Sequence, residues 1–582
     1  MTQFATRRIL IGALSSTILA LGAVPALAQD APPPAAAPTA TDATAVNPNE
    51  IIVTARRRNE TLQTTPVAIT AINAAMLANK ATVNIGDLQG AAPNLLITQQ
   101  NSGGQAANLS IRGLTYADIE KSQEPTVGVV VDGVFIGTNT GQLLDFFDIE
   151  QIEVLRGPQG TLFGRNTIGG VISIRRTKPT MHSGIKAEGT YSSYNSWATR
   201  GVVNVGDGES FGVKGFYFHN QSDGYYRNAI TGKRAGGSNN ENFGASVILK
   251  PAGSGFEALL TLEKQDQTFD VTNSNLANSS ELFCLFEPAR ECNRNNTSDL
   301  YTVFTSPAKS TYSAPSATLE LNYQAGGVKL TSITGYRKSK EFQTQDFDSS
   351  STDLYYTLRQ QNYHQFSQEL RAAGNQTITS NVGSANIKGL EIDASLRPTQ
   401  GLRLTATMGL LRSKFKNFIA GNTLTVFDPL APTVPIPVIR PFDYSRNNPI
   451  YSPKFSASAG AEYKVPTAFG SVVGSVGYRY IGAYDQQISL GPLTGNTGFV
   501  SNNGNVIVNG NDARVRSDKQ GLLDASLTAN FKLSNANAYL TVFGRNLAND
   551  RGTSAAFTVA GLWSFASARE PRTVGVTLGI KY

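Results

Sequence analysis

The chain has 582 residues and a net charge of +7, with 40% hydrophobic residues, 16% charged residues, 55 glycines, 28 phenylalanines and 21 tyrosines. A helical membrane protein is excluded, because beyond the N-terminus no run approaches the roughly 18 apolar residues that a spanning helix needs. The aromatic content excludes a wholly disordered chain. Two cysteines and three histidines argue against a zinc or haem enzyme. The composition indicates a glycine- and aromatic-rich β protein for which no metal and no cofactor is expected.

The first 28 residues are typical of a secretory signal peptide. Arg7 and Arg8 form a positive start, Ile9–Val24 is apolar, and Ala26–Ala28 supplies the small residues of a cleavage site, so the mature chain is expected to begin near Gln29. The short apolar run disfavours a membrane anchor, and only the arginine pair favours a twin-arginine signal. Export argues against a nucleic-acid partner, as does the lack of a basic run with interleaved aromatic residues.

The next segments predict a tether followed by a small domain. Residues 29–49 are rich in Ala, Pro and Thr, which is typical of a flexible linker. Residues 56–180 mix short strands and helices, and the apolar run Val127–Val131 ends in the turn signal Asp132-Gly133. This segment is predicted to form an α+β domain.

Residues 181–582 show a different, repetitive pattern. Apolar and polar residues alternate over about ten positions at a time, which indicates β-strands with one apolar and one polar face. The polar face is too polar for the core of a soluble sandwich, so the pattern predicts a transmembrane antiparallel barrel. The clearest examples are Leu402–Leu410, Phe455–Tyr463, Leu523–Phe531 and Val574–Tyr582.

The connections between these strands support the barrel. Short turns alternate with long polar segments at 268–310, 412–452 and 485–519, as in outer-membrane barrels. Cys284 and Cys292 fall in the first long segment, and in an oxidising compartment they are expected to form a disulfide. Two free thiols remain the alternative.

Several motifs resemble those of the TonB-dependent outer-membrane receptor family, over essentially the whole mature chain. Glu50, Ile51, Ile52, Val53, Thr54 and Ala55 resemble its TonB box, a β-prone segment that can add a strand to a periplasmic partner. Motifs in the usual order of its plug domain are Ile111–Gly113, Val130–Val134, Ile149–Gly164 and Gly169–Ile174. Motifs similar to those of its barrel are Phe366–Arg371, Gly389–Glu391, Arg545–Leu547 and Pro571–Gly575.

The resemblance implies a plug domain that is held to the barrel by ion pairs. Plug arginines in this family pair with barrel glutamates, and on that basis Arg112 and Arg156 are expected to pair with Glu369 and Glu391. Strand parity agrees, because the neighbouring apolar residues turn both glutamates toward the lumen. The alternative is that these carboxylates are merely solvated.

The strand count departs from the family, whose barrels have twenty-two strands. About eight candidate strands lie between Gly184 and Ala373 and about seven between Asn386 and Tyr582. A closed antiparallel barrel needs an even number, so fourteen or sixteen is expected rather than fifteen. The join lies near Gly374–Thr379, where six to eight family strands are absent. A barrel with fewer strands is narrower and leaves less room for a plug.

The resemblance implies TonB-dependent active uptake of a scarce ligand across the Gram-negative outer membrane. Ferric siderophores are the default ligand, cobalamin and oligosaccharides are alternatives, and the few histidines in the loops disfavour haem. The expected partners are a TonB-type energy-coupling protein and outer-membrane lipid, with the receptor as a monomer. Aromatic loop residues that could contact a siderophore or a sugar are Phe283, Phe286, Tyr301 and Phe304.

Other classes of function are weighed against uptake. The absent strands leave open a truncated, transport-inactive remnant or a structural barrel. A passive porin would have no use for a plug, and a signalling receptor would need a further domain before the TonB box. An enzyme is least favoured, because His182, His219 and His364 lie in separate segments without a shared motif.

Overall fold

The computed structural model describes residues 52–582 with gaps. The gaps are 55–59, 64, 66, 80–83, 100–105, 117–124, 139, 144–147, 278–280, 287–290, 292–298, 306–308, 326–327, 353, 373–384, 416–418, 429–430, 444–446, 489–498, 501–505, 508–510 and 560–562. The predicted signal peptide and tether therefore lie outside the described residues.

The described residues of the N-terminal domain, which we call the plug, form ten strands and two short helices. The helices are α1 (Ala74–Asn79) and α2 (Gly160–Phe163). The strands are β1 (Ile52–Val53), β2 (Glu60–Thr61), β3 (Ile69–Asn73), β4 (Leu95–Gln99), β5 (Ala107–Ile111), β6 (Leu114–Thr115), β7 (Val127–Val131), β8 (Val134–Phe135), β9 (Ile149–Arg156) and β10 (Gly170–Arg176).

A mixed sheet forms the centre of the plug, with strand order β3-β9-β10-β7-β8. Strand β10 pairs parallel with β7 and antiparallel with β9. The apolar residues of this sheet are buried on both faces, and Ile152 and Val154 of β9 and Ile172 of β10 are fully enclosed in the core. Such continuous apolar strands are what a sheet covered on both faces requires.

Fifteen strands form one large sheet after the plug. They are β11 (Gly184–Ser192), β12 (Ser196–Gly206), β13 (Phe211–Ser222), β14 (Ser238–Leu249), β15 (Phe256–Asp270), β16 (Lys309–Ala325), β17 (Val328–Asp346), β18 (Tyr356–Ala372), β19 (Ala385–Thr399), β20 (Leu402–Phe415), β21 (Phe455–Thr467), β22 (Gly470–Ile481), β23 (Gln520–Lys532), β24 (Asn537–Arg545) and β25 (Thr573–Lys581).

The alternation predicted from the sequence is present in these strands. Side chains such as Leu358, Phe366 and Leu370 of β18 are exposed on the outer face, while Glu369 and Arg371 are half-buried on the inner face. The apolar outer row matches a surface that faces lipid. The division into eight strands before residue 373 and seven after 384 also agrees with the sequence.

The sheet curls so that β25 pairs with β11, which leaves β18 and β19 as its two edges within the described residues. Every pairing between neighbouring strands is antiparallel, including β25 with β11. Because direction alternates along the sheet, β18 and β19 run the same way. The expected even number is therefore wrong for the described chain, which has fifteen strands. Regular antiparallel closure between these edges would need an odd number of further strands.

Short and long connections lie at opposite ends of the sheet. Turns at 207–210, 250–255, 468–469 and 533–536 define the short-turn end, and the long segments define the long-loop end. Small strands in the long segments are Tyr226–Asn228, Arg234–Ala235, Ser274–Asn275, Thr302–Val303, Ile419–Asp428, Ala431–Asp443, Tyr484–Asp485, Phe499–Val500, Val506–Ile507, Arg516–Ser517, Thr553–Val559 and Trp563–Ala568. The described residues include 3-10 turns at Ile85–Leu88, Leu282–Leu285, Asp299–Tyr301 and Ala513–Val515.

Among the described residues, no helix is both long and apolar enough to span a membrane.

Candidate functional site

Residues Ile52–Thr54, which we call the coupling segment, lie against the plug sheet. Ile52 and Val53 form β1 and pair antiparallel with β2. The Val53 side chain is 0% exposed and packs in a cluster with Ile69 and Leu155. Burial of this β-branched side chain fixes the position of the segment. The remaining residues of the predicted TonB box, Glu50, Ile51 and Ala55, lie outside the described residues.

Two side chains of β9 bind the coupling segment. Glu153 Oε1 accepts hydrogen bonds from the backbone N–H of Thr54 at 2.6 Å and from its hydroxyl at 3.0 Å. Gln151 Nε2 donates to the Ile52 carbonyl at 2.9 Å and to Glu153 at 2.8 Å. Burial raises the pKa of the Glu153 carboxyl, and the bonds from Thr54 partly offset that rise. Undocking the segment removes two donors from a buried carboxyl group, so release costs free energy.

A second group of contacts, the Glu391 cluster, joins the plug to barrel strand β19. Arg112 Nε and Nη2 donate to Glu391 Oε1 and Oε2 at 2.8 and 2.9 Å, which is the bidentate geometry of a strong charge-assisted pair. Asn94 Nδ2 also donates to Glu391 Oε1 at 2.8 Å. Arg156 Nε lies 3.6 Å from Glu391 Oε2, and its Nη1 lies 4.0 Å from Asp393 Oδ2. Two plug arginines therefore share one wall carboxylate.

The two arginines of this cluster differ in environment. The Arg112 side chain is 34% exposed, and its hydrogen bond to Glu391 raises the pKa of its guanidinium. Arg156 is buried, and burial lowers its pKa although Glu391 acts in the opposite direction. Separating Arg112 from Glu391 costs little free energy, because the Arg112 side chain is already partly solvated. Separating Arg156 leaves a buried cation with less compensation, which costs more.

Glu369 has a partner on its own strand. Its Oε1 accepts a hydrogen bond from Arg371 Nε at 2.5 Å. The two side chains are two residues apart on the same face of β18, so this contact is local. Arg112 and Arg156 both lie beside Glu391, with Asp393 next to it, and the expected pairing of Glu369 with a plug arginine stays a prediction.

A third group, the Arg176 cluster, lies where the plug chain leads into the barrel. Arg176 donates from Nε to Asp132 at 2.7 Å and from Nη1 to Glu263 of β15 at 2.7 Å. Its backbone N–H also donates to Asp132 at 2.9 Å. Nearby, Lys214 of β13 contacts Asp148 at 2.7 Å. Burial opposes the charge on Arg176, but the two carboxylates raise its pKa overall.

The sequence interpretation did not identify the Arg176 cluster. The sequence pattern predicts Asp132 only as part of a turn. Its φ is +47°, and its carboxylate accepts hydrogen bonds from Arg176. Strand parity would have placed Glu263 in the lumen, since its neighbour Leu262 is exposed on the outer face. The arginine that pairs with Glu263 depends on the orientation of the plug inside the barrel. Strand parity does not determine that orientation.

A further contact holds the plug turn at Ile85–Leu88. Asp87 forms a capping box with Asn84, and its two carboxylate oxygens each accept a hydrogen bond from Nη1 of Arg545 in β24 at 3.1 Å. Arg479 of β22 donates to the backbone carbonyls of Asp87 and Gln89 at 3.0 and 2.8 Å. The plug is thereby held on wall strands from β13 round to β24.

The long-loop end contains the predicted disulfide and aromatic residues. Cys284 is disulfide-bonded, and Cys292, the only other cysteine of the sequence, lies outside the described residues, so the pairing stays a prediction. Tyr301 and Phe304 are buried, Tyr301 within a cluster of loop residues. Phe286 is exposed, and the side chain of Phe283 lies outside the described residues.

Two family models match separate parts of this chain. The model described as "TonB-dependent Receptor Plug Domain" matches residues 61–171, and the model described as "TonB dependent receptor-like, beta-barrel" matches residues 335–547. Together they include more than half of the sequence. The chain belongs to the TonB-dependent receptor family. This is a family of receptors and transporters of the Gram-negative outer membrane, and the chain is accordingly an outer-membrane receptor-type barrel with a plug.

Curated relatives of this TonB-dependent receptor match over short stretches. A pesticin receptor of Yersinia pestis is 31% identical over 152 residues, which is 26% of this chain and 22% of the relative. The vitamin B12 transporter BtuB of Vibrio vulnificus (strain YJ016) is 29% identical over 190 residues, which is 31% of this chain and 29% of the relative. The matched region thus spans less than a third of each relative.

Solved receptors share its fold. The ferric yersiniabactin uptake receptor FyuA of Yersinia pestis superposes with a TM-score of 0.62 at 15% identity, covering 89% of this chain and 98% of that one. For FpvA of Pseudomonas aeruginosa the TM-score is 0.56 at 12% identity, with 91% and 88% covered. The ferric-catecholate import receptor Fiu of Escherichia coli K12 gives 0.53 at 14% identity, with 90% and 98% covered.

Proposed function

We propose that this receptor takes up a scarce ligand across the outer membrane by TonB-dependent active transport. One observation carries the proposal: strand β9 holds both the coupling segment and a wall contact. Glu153 of β9 accepts hydrogen bonds from Thr54, and Arg156, three residues along the same strand, lies beside Glu391 of the wall. A pull on the coupling segment is therefore delivered to a strand that ends at the Glu391 cluster.

The energy source is an inner-membrane proton gradient delivered by a TonB-type protein. The coupling segment is short and β-prone, so it can add a strand to that periplasmic partner once it leaves the plug. Leaving exposes Val53 and removes the two hydrogen bonds to Glu153. The burial of Val53 and the hydrogen bonds to Glu153 each contribute about 1–3 kcal/mol of binding free energy. This is enough to hold the segment on the plug at rest and small enough for a pulling partner to release it.

Ferric siderophores are the default ligand within this proposal. Solved neighbours include receptors for ferric yersiniabactin, pyoverdine and ferric catecholates. Cobalamin stays an alternative, since one curated relative is a vitamin B12 transporter, and an oligosaccharide is a further one. Ligand binding at the long-loop end and a TonB-type partner at the short-turn end would act on the same plug from opposite sides.

The wall suits a monomer surrounded by lipid. Outward side chains of non-adjacent strands, such as Leu260, Leu396 and Leu578, are exposed on the outer face of the sheet. An apolar band of this kind needs lipid rather than water around it. We propose residues 56–180 as the plug and 181–582 as the barrel of this transporter.

A transport-inactive remnant or structural barrel is the second candidate. The observation that favours it is that β18 and β19 have no further partner strand among the described residues. Folding separates a remnant from any closed barrel. Outer membranes from expressing cells are analysed by gel mobility with and without boiling, together with protease treatment of intact cells. A transporter or a structural barrel gives a heat-modifiable, protease-resistant band, and a remnant gives none; a structural barrel is then separated from a transporter by uptake.

Uptake itself is tested with Val53→Pro, because proline at this position cannot pair in a strand. In iron-starved cells we expect the variant to bind the labelled ferric siderophore at the surface and to accumulate it at background level. Val53→Ile keeps the β-branched shape and serves as the matched control, with uptake close to wild type. Energised accumulation by Val53→Pro at the wild-type rate would contradict TonB-dependent transport.

A further inference from the structure

The outer face of the barrel wall carries three cations close together on β19 and β20. They are Lys388 of β19 and Arg412 and Lys414 of β20, and all three are exposed. They continue the outward rows of exposed apolar residues to which Leu390 and Leu410 belong, so they lie on the same face. We call them the outer basic cluster. A charge on the lipid-facing side of a barrel is costly unless it meets a polar or charged partner.

The cluster places like charges side by side. Lys388 of β19 pairs in register with Arg412 of β20. Side chains directly opposite on adjacent antiparallel strands have Cβ atoms about 5 Å apart, and like charges in such a pair destabilise the sheet. Lys414 follows on the same face of β20, about 7 Å along the strand from Arg412. Within the part of the chain that the structure describes, none of the three cations forms an ion pair. An anion from outside the chain would balance them.

A cation elsewhere on the outer face shows the contrast. Lys264 of β15 is exposed beside the outward residue Leu262, and its Nζ lies 2.7 Å from Oδ2 of Asp266 on the same strand. That charge is neutralised within its own strand and needs no outside ligand. The outer basic cluster differs because its neighbouring charges all have the same sign.

The cluster lies at the end of the wall that faces the cell exterior. Strand β20 begins at Leu402 after the short turn 400–401, and Arg412 is ten residues further along the strand. About 9–11 residues of a tilted strand cross the hydrocarbon core, and the short turns of such barrels face the periplasm. Arg412 therefore lies at the outer boundary of the apolar band, at the depth of the lipid headgroups of the outer leaflet.

An apolar surface continues from the cluster toward the short-turn end. Leu390, Ile392 and Leu396 of β19 are all exposed on the outer face. This part of the wall thus combines a cationic upper region with an apolar strip below it. An amphiphile with an anionic headgroup and acyl chains matches both regions, whereas a free anion would use only the upper one.

We propose that the outer basic cluster binds a phosphate-bearing lipid of the outer leaflet, with the phosphate between the three cations and the acyl chains along the apolar strip of β19. Arg412 can donate two parallel N–H groups to phosphate oxygens, and Lys388 and Lys414 add point charges. The inference goes beyond the proposed uptake function and does not depend on it, because it assigns a specific lipid to one face of the wall.

The test measures lipid binding to the purified full-length receptor in detergent by native mass spectrometry. The probes are lipid A with two phosphates, the same lipid without phosphates, and inorganic phosphate. We expect wild type to bind the phosphorylated lipid at least about tenfold more tightly than the phosphate-free lipid. Arg412→Gln should weaken that binding about fivefold, and the triple variant Lys388→Gln, Arg412→Gln, Lys414→Gln about a hundredfold, because each cation contributes separately.

Two further variants separate the effect of charge from damage to the fold. Arg412→Lys keeps the charge and should bind the phosphorylated lipid within about threefold of wild type. Lys264→Gln removes an exposed cation that Asp266 already neutralises, and should change binding by less than about twofold.

Three results would overturn the proposal. The first is an equal loss of binding in Arg412→Gln and Lys264→Gln. The second is an equal affinity of wild type for the phosphorylated and the phosphate-free lipid. The third is displacement of the lipid by an equal concentration of inorganic phosphate, which would make the cluster a site for the free ion.

Discussion

The plug is held to the wall at two ion-pair clusters whose construction differs. In the Arg176 cluster one arginine, whose side chain is 15% exposed, donates hydrogen bonds to two carboxylates and also donates through its backbone N–H. In the Glu391 cluster two arginines share one carboxylate, and Arg112 is a third exposed. The clusters therefore differ in hydrogen bonding more than in burial. Arg176 is hydrogen-bonded to both of its carboxylates, whereas Arg156 lies 3.6 Å from Glu391 and Arg112 is partly solvated, so the Glu391 cluster is expected to open at lower cost.

The positions of the clusters along the chain fit this difference. Arg176 ends β10, the last plug strand before the barrel, so its cluster fixes the plug where the chain enters the wall. Arg156 ends β9, the strand that binds the coupling segment. We infer that the Arg176 cluster is a permanent anchor and the Glu391 cluster a releasable latch.

The largest effect is expected for Arg176→Met, which leaves Asp132 and Glu263 facing each other without their cation. Removing one partner of a buried network costs about 3–5 kcal/mol, so the plug should unfold or detach. Thermal unfolding followed by near-ultraviolet circular dichroism, together with trypsin sensitivity of the plug, measures the loss. Arg175→Met is the matched control, because Arg175 contacts only the exposed Glu150 among the pairs seen here, and should change stability by less than about 1 kcal/mol. An equal loss of plug stability in both variants would show that the Arg176 cluster is not an anchor.

The next effect in size is expected for Glu391→Ala, which takes away the carboxylate that both plug arginines use. We expect plug retention to weaken by about 2–3 kcal/mol, measured as the urea midpoint for trypsin cleavage within the plug. Glu369→Ala removes a carboxylate that is bonded to its own strand neighbour and should shift the midpoint by less than about 0.5 kcal/mol. A larger midpoint shift for Glu369→Ala than for Glu391→Ala would indicate that Glu369 pairs with a plug arginine, as the sequence predicts.

A smaller effect separates the two arginines of the latch. Arg112→Gln should cost about 1 kcal/mol, because the side chain is partly solvated, and Arg156→Gln should cost more. Because both contact Glu391, a double-mutant cycle should give a coupling energy of at least about 0.5 kcal/mol. Strict additivity would mean that the arginines act on separate partners.

The smallest effect concerns the coupling segment. Glu153→Gln keeps the shape but replaces a charged acceptor by a neutral one, which should loosen Thr54 by about 1 kcal/mol. In a Val53→Cys background, maleimide labelling of the buried thiol should then accelerate about fivefold, since labelling reports local opening. Glu150→Gln on the same strand is the control and should leave the rate unchanged. An unchanged rate in Glu153→Gln would show that burial of residue 53 alone holds the segment.

The sequence was sufficient for the fold class because period-two patterning is a local property of each strand. The same parity turned Glu391 toward the lumen, and a family resemblance added Arg112 and Arg156. The Arg176 cluster could not be predicted from the sequence. Glu263 and Lys214 contact the plug only in one orientation of the plug inside the barrel, and strand parity does not determine that orientation. The pairing of Glu369 with a plug arginine stays a prediction, and strand parity could not show that Arg371, a neighbour on the same strand, also bonds to it.

The most direct test of the central claim is to pull on the N-terminal tether of the receptor in a lipid bilayer and record extension against force. The account predicts two steps: the chain up to Arg156 extends first, and the part anchored at Arg176 yields later at higher force. Glu391→Ala should lower the force of the first step only, and Arg176→Met that of the second. Extraction of the whole plug in a single step, with a force that does not respond to Glu391→Ala, would contradict the account.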